Sequence, residues 1–144
     1  MNTIQLPTNF HRELISFLLR AKQNVATVAA QFDLTGPQAF ALLLVDAKHP
    51  RSMKSYSQAH SCDPANITGI IDGLEDMGLV IRKQDPADRR IKVIYLEPAG
   101  AKLREQLLDA IAGVNAELLA PLSAEQQATF ASLVRQITDS YTDY

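Results

Sequence analysis

At 144 residues and 47% hydrophobic content, the chain is long enough to bury a real core and too apolar to be disordered as a whole. No apolar run approaches a membrane span, residues 1–14 lack the basic start and apolar run of a signal peptide, and one cysteine excludes an internal disulfide framework, so the expected location is the cytoplasm. The net charge of −2 argues against a generic polyanion binder, but residues 80–104 carry seven basic side chains against three acidic, and residues 105–144 carry one against six.

Periodicity predicts a first helix over 8–32, striped by Leu14, Phe17, Leu18, Ala21, Val25, Val28 and Phe32. So long a stripe beside so small a protein exceeds what its own chain can cover, which favours a role shared with a second subunit. Leu34-Thr35-Gly36-Pro37-Gln38 opens a second helix. Thr35 and Gln38 have capping-box spacing, and Pro37 lies in the first turn, where it is tolerated. Phe40, Leu43, Leu44 and Ala47 form its expected buried face. A turn at 48–51 leads to a short strand at 52–53 that closes a small sheet, then to a third helix over 54–61.

The stretch from 62 to 96 organises the rest. Asp63 is a good N-cap, and Pro64 stands at the first helical position. Ile67, Ile70, Ile71 and Leu74 give the helix that follows one apolar face, and Gly78 stops it, with Leu79 folding back on Leu74. A strand over 79–83, a polar turn over 84–90 containing Pro86, and a strand over 91–96 rich in β-branched and aromatic residues read as a hairpin. A helix followed by a hairpin with a basic tip is the pattern of a winged helix-turn-helix. Its helix enters the major groove of DNA and its hairpin reaches the neighbouring minor groove.

Beyond the hairpin, Pro98 starts a fifth helix striped by Leu103, Leu107, Ile111, Val114 and Leu118. Pro121 breaks it. Ser123 and Gln126 repeat the capping-box spacing, and Phe130, Leu133, Val134, Ile137 and Tyr141 stripe a last helix.

Several of these runs together resemble the MarR family of bacterial transcriptional regulators. They are Gly78-Leu79-Val80, Arg82, Asp85-Pro86-Ala87-Asp88-Arg89-Arg90, Val93-Ile94-Tyr95-Leu96 and Gly100, with Leu34-Thr35 and Gln38 upstream. The resemblance spans nearly the whole chain in element order, and the hairpin motif is its most specific part. It implies a mostly α-helical winged helix-turn-helix with a small β-hairpin wing and long N- and C-terminal dimerisation helices. The whole of 1–144 would then be a single domain, with a DNA-binding lobe at 35–97 and a dimerisation lobe at 5–32 and 98–142. The expected protein is a homodimeric regulator, most simply a repressor, on a pseudo-palindromic double-stranded DNA operator. No cofactor and no membrane attachment are expected. Members of the family commonly release DNA when a small aromatic or phenolic acid binds between the dimer helices and the DNA lobe. Three departures stand out. Tyr56, Ser57 and His60 replace the family's Leu-Ala and Leu in the third helix, Glu97 replaces a threonine, and no arginine lies near Gly69.

The expected DNA contacts are Ala65, Asn66, Thr68 and Gly69 on the recognition helix and Asp88, Arg89, Arg90 and Lys92 on the wing. Small side chains let the helix lie deep in the groove, and Asn66 and Thr68 can bond base edges or phosphates. The resemblance implies that Asp88 orients Arg90 into the minor groove while Arg89 and Lys92 meet phosphates. The plainer reading of the pair is a surface salt bridge that stiffens the turn. Asp72 and Asp76 are expected to oppose close approach by the end of the helix. An effector pocket is expected where the first, second and fifth helices meet, with Phe17, Phe40, Leu44 and Leu107 as walls and Arg20 or His11 for a carboxylate.

No P-loop, dinucleotide glycine pattern, nucleophile elbow or paired metal motif is present, so an enzyme is not expected. Two alternatives stay open. A recognition helix without lysine or arginine fits a module that binds protein and not DNA. His60-Ser61-Cys62-Asp63 fits a metal or redox site, against the plainer reading of Cys62 as a small packing residue.

Overall fold

In the computed structural model, which describes residues 5–46, 48–59 and 64–141, six helices accompany a small sheet. The order is α1 (Phe10–Ala30), α2 (Gly36–Leu44), β1 (Arg51–Ser52), α3 (Met53–Ala59), α4 (Pro64–Asp76), β2 (Val80–Gln84), β3 (Lys92–Leu96), α5 (Pro98–Leu118) and α6 (Ala124–Asp139). Ala47 and the stretch 60–63, with the expected N-cap Asp63 and the His60–Cys62 cluster, lie outside the described residues.

Local signals set most of the helix ends. Thr35 Oγ1 accepts from the Gln38 N–H at 3.2 Å and Gln38 Oε1 from the Thr35 N–H at 3.0 Å. Ser123 and Gln126 repeat this capping box at α6. Each such cap stabilises its helix by about 1 kcal/mol. Gly78, at φ 72°, lets the Gly78 N–H reach the Glu75 carbonyl (2.9 Å) and the Leu79 N–H the Leu74 carbonyl (3.0 Å), a Schellman ending for α4. Asp33, at φ 59°, ends α1 similarly, with the Leu34 N–H on the Ala29 carbonyl at 3.0 Å.

The sheet is antiparallel in the order β1-β3-β2. Val80 faces Leu96 at one end of the hairpin and Gln84 faces Lys92 at the other, while Arg51 and Ser52 lie opposite Ile94 and Val93. The strands sit about one residue from where the sequence places them. Met53 already begins α3. Leu79 closes α4, and the Ile91 N–H turns back to the Asp88 carbonyl at 3.0 Å, so neither joins the ladder.

The core gathers Val28, Leu42, Val45, Tyr56, Ile67, Ile71, Leu74, Val80, Ile94 and Leu107. The buried face of α2 differs from expectation. Ala39, Ala41 and Leu42 are fully buried, while Phe40, Leu43 and Leu44 are only partly so. The reason is that α2 packs against α1, α4 and α5 at once, so no single stripe of it faces the core. The stripe of α1 divides. Val25 and Val28 are buried, whereas Leu14 and Leu18 are exposed, and α6 buries none of its residues.

Two glycines allow close packing. A β-carbon on Gly73 of α4 would stand 2.5 Å from Gln38 Nε2, so the capped start of α2 can lie against α4. Gly100 of α5 lies under the Leu79 carbonyl, whose oxygen accepts the Glu97 N–H at 3.0 Å. Among the described residues no helix is long and apolar enough to cross a membrane, and no three His, Cys, Asp or Glu side chains are grouped to hold a metal ion.

Candidate nucleic-acid interface

The wing tip is built from its own polar side chains. Asp85 Oδ1 accepts the Ala87 N–H at 2.8 Å, and Asp88 Oδ1 accepts the Arg90 N–H at 3.0 Å. These Asx-type bonds shape a turn that the Asp85 N–H closes on the Ile91 carbonyl at 2.9 Å. Asp88 then grips the Arg90 guanidinium with both oxygens, Oδ1 on Nε and Oδ2 on Nη2, each at 3.0 Å. The Arg90 side chain is nonetheless 90% exposed. The fork therefore holds the arginine in one direction while leaving its outer edge to solvent. Hydrogen bonding from Arg90 holds the Asp88 carboxyl below its ordinary range.

The basic residues of the middle segment do different jobs. Arg89, Arg90 and Lys92 are exposed around the tip. Lys83 instead lies over the Tyr95 ring, 5.7 Å from its centre, and Arg104 reaches back to the Leu43 carbonyl. Arg82 points inward to α4, pairing with Asp72 and with Glu75 Oε2 at 2.8 Å. Asp72, expected to oppose close approach to DNA, is thus paired with Arg82. Sequence reasoning passed over the pairing, although Asp72 and Glu75 share a helix face and Arg82 follows the α4 stop by four residues.

An expected result follows. Arg82→Gln should lower stability by roughly 1 kcal/mol, since the pair is only partly shielded from water. It should weaken DNA binding by more than that loss explains, because Asp72 is left bare beside the groove-facing surface. Adding Asp72→Asn should restore most of the affinity. If the double variant binds no better than Arg82→Gln in a titration with labelled DNA, Asp72 does not face the DNA.

On α4, Ala65 falls in the first turn, and Asn66, Thr68 and Gly69 lie along an exposed face. A β-carbon at Gly69 would meet nothing within 4 Å, so this face is open and flat. Ile67, Ile71 and Leu74 anchor the opposite face in the core.

A cleft of about 1070 Å³ runs from this helix into the α1–α2 side of the molecule, lined by Lys22, Thr35, Phe40, Leu44, Asn66, Ile70 and Asn115 among others. It contains Phe40 and Leu44 of the expected effector residues. The others are elsewhere. Leu107 is fully buried in the core, and Phe17 packs edge-on against Phe130 at 5.7 Å. His11 lies beside Phe10, and Arg20 is exposed on α1. Lys22 and Asn115, which line the cleft together with the polar Thr35 and Asn66, are flagged in the sequence only by their places beside the stripes of the first and fifth helices.

A family model described as the MarR family matches residues 34–92. Transcriptional regulator HosA of Escherichia coli O111:H- is 30% identical over 108 residues, covering 75% of this chain and 80% of its own. The chain belongs to the MarR family. Its relatives include the HTH-type transcriptional repressor NicR of Pseudomonas putida, 28% identical over 133 residues and covering 89% and 84% of the two chains. The fold is also that of a cysteine-to-serine variant of Escherichia coli MarR complexed with operator DNA. That structure has a TM-score of 0.72 at 21% identity, over 90% of this chain and 94% of that one. As a MarR-family chain, the protein is a transcriptional regulator and not an enzyme.

Proposed function

We propose that two copies pair through α1, α5 and α6 and bind an inverted-repeat operator in the cytoplasm, repressing transcription. In this reading residues 35–97 form the DNA-binding lobe and 5–32 with 98–142 the dimerisation lobe. Asn66, Thr68 and the small Ala65 and Gly69 meet base edges in the major groove, Arg90 enters the minor groove on its Asp88 fork, and Arg89 and Lys92 neutralise phosphates. The observation that carries the reading is the Asp88–Arg90 fork, which holds an exposed cation at the wing tip, while the outer face of α4 is open at Gly69. Pairing is supported by α6 and the turn after it, where Leu133, Val134, Ile137 and Tyr141 are all exposed and Ile137 is 60% so, more apolar surface than a lone subunit ordinarily leaves in water. The name of NicR supports repression.

The cleft supports release by a small aromatic acid. Its walls are apolar, Lys22 offers a partner for a carboxylate, and Asn66 belongs both to the cleft and to the reading face of α4. An occupant touching Asn66 would bias the recognition helix away from its DNA-bound arrangement.

Selection of bound DNA from a random pool tests dimer and function together. Recovery of an inverted repeat with half-sites about one helical turn apart supports the reading. Recovery of nothing above background favours the protein-binding module. Adding aromatic acids to the recovered complex then tests release, and unchanged DNA affinity across such a panel would remove the effector from the proposal.

A further inference from the structure

A helix lying in the major groove meets a phosphate backbone on each flank, because the groove is about 12 Å wide and a helix with its side chains about 10–12 Å across. The two flanks of α4 differ. Asn66 and Ile70 border the large cleft on the α1–α2 side. Thr68 lies two residues beyond Asn66, roughly 200° around the helix, and so on the opposite flank. There Ile67 and Thr68 border a second hollow of about 390 Å³, completed by Met53, Lys54, Ser57 and Gln58 of α3.

The apolar lining of this hollow is covered and most of its polar lining is open. Ile67 is buried and Met53 half-buried, whereas Lys54, Gln58 and Thr68 are exposed. Lys54 and Gln58 stand four residues apart and share one face of α3. Ser57 stands where the family pattern has alanine, so part of this polarity is a departure from that pattern.

Charge separates the hollow from its surroundings. Helix α4 contains no lysine or arginine and carries Asp72, Glu75 and Asp76. Arg82 is spent on Asp72 and Glu75, Lys83 lies over Tyr95, and Arg104 reaches the Leu43 carbonyl. Among the described residues no carboxylate pairs with Lys54. Lys54 therefore brings an uncommitted positive charge to the Thr68 flank of a helix that has none of its own.

We infer that Lys54 holds a phosphate of the DNA backbone at this hollow, with the Gln58 amide as a second donor one turn along α3. The inference deepens the proposed function and rests on α4 entering the major groove. A backbone phosphate is anionic and offers only acceptors, which an ammonium and an amide N–H both satisfy. The contact fixes how α4 sits in the groove and carries no base information.

The test uses the operator recovered by selection from a random pool. Wild type, Lys54→Met, Lys54→Arg and Gln58→Ala are titrated on that DNA and on an altered operator at several salt concentrations. For Lys54→Met the slope of log affinity against log salt should fall by about one unit per subunit. The ratio between matched and altered operators should stay as in wild type, and Lys54→Arg should keep the wild-type slope. Gln58→Ala should weaken binding to both DNAs by roughly threefold and leave the slope alone. Lys54 is exposed, so Lys54→Met should keep the wild-type unfolding midpoint within about 2 °C. An unchanged slope in Lys54→Met, with wild type binding the operator, would overturn the contact and leave the proposed function standing. A loss confined to the matched operator would also overturn it, by making Lys54 a reader of bases. If wild type binds no DNA, the proposed function fails and the contact fails with it.

Discussion

Replacing Gly100 with alanine should destabilise the protein by about 3 kcal/mol, the upper end of the usual over-packing range. The added β-carbon would collide with the Leu79 carbonyl oxygen and stand 2.8 Å from its carbonyl carbon. A flexible side chain in the way would turn aside. Here the obstacle is backbone, and that oxygen is already held by the Glu97 N–H at 3.0 Å while the Leu79 N–H closes α4. Relief therefore requires moving the start of α5 away from the end of α4. In a chain of this size the unfolding midpoint should fall by roughly 10 °C. Gly113, on the same helix, is the internal control. A β-carbon there meets nothing within 4 Å, so Gly113→Ala should be neutral or raise stability by up to about 1 kcal/mol, as alanine favours a helix over glycine. Equal thermal midpoints for the two variants would mean that the contact at Gly100 relaxes without strain.

Arg90→Ala should weaken DNA binding by roughly tenfold per wing, so about a hundredfold for a dimer that uses two. The loss should fall on most sequences alike, because a minor-groove arginine reads groove width and A·T content only coarsely. The salt dependence should flatten by about one unit of slope per wing. Asn66→Ala should behave in the opposite way. It removes no charge, so the slope should hardly move, and the loss of about 1–3 kcal/mol per half-site should be confined to the best operator. Titrations of both variants on matched and altered operators at several salt concentrations separate the two roles. If Arg90→Ala binds like wild type, the wing does not touch DNA and the fork is only a surface salt bridge. The fork also sets a pH expectation. The Asp88 carboxyl is held below its ordinary value by Arg90, so the stabilisation is present above about pH 4, the unfolded value, and is lost only as pH falls through the lower folded one. Between pH 8 and 5 this pair should therefore leave DNA affinity unchanged.

Much of the architecture was legible because its signals are local. The capping boxes at Thr35–Gln38 and Ser123–Gln126, the Gly78 stop and the β-branched and aromatic run through Val93–Leu96 act over a few residues, and each appears where its residues stand. The Asp88–Arg90 fork was legible for the same reason, since its partners are two residues apart. By itself the sequence thus determined the element order, several of the helix ends, the hairpin and its charged tip. Only the tertiary structure decided which face of α2 is buried, that Arg82 pairs with Asp72 and Glu75 of α4, that Gly100 lies under Leu79, and that Phe40 and Leu44 share a cleft with Asn66 while Leu107 does not. Each of these depends on where segments distant in the chain come to rest, and a side chain's type does not state its distant partner. Tyr56 shows the limit most clearly. Its departure from the leucine of the family pattern could be seen in the chain, but only the packed structure shows that the side chain is fully buried.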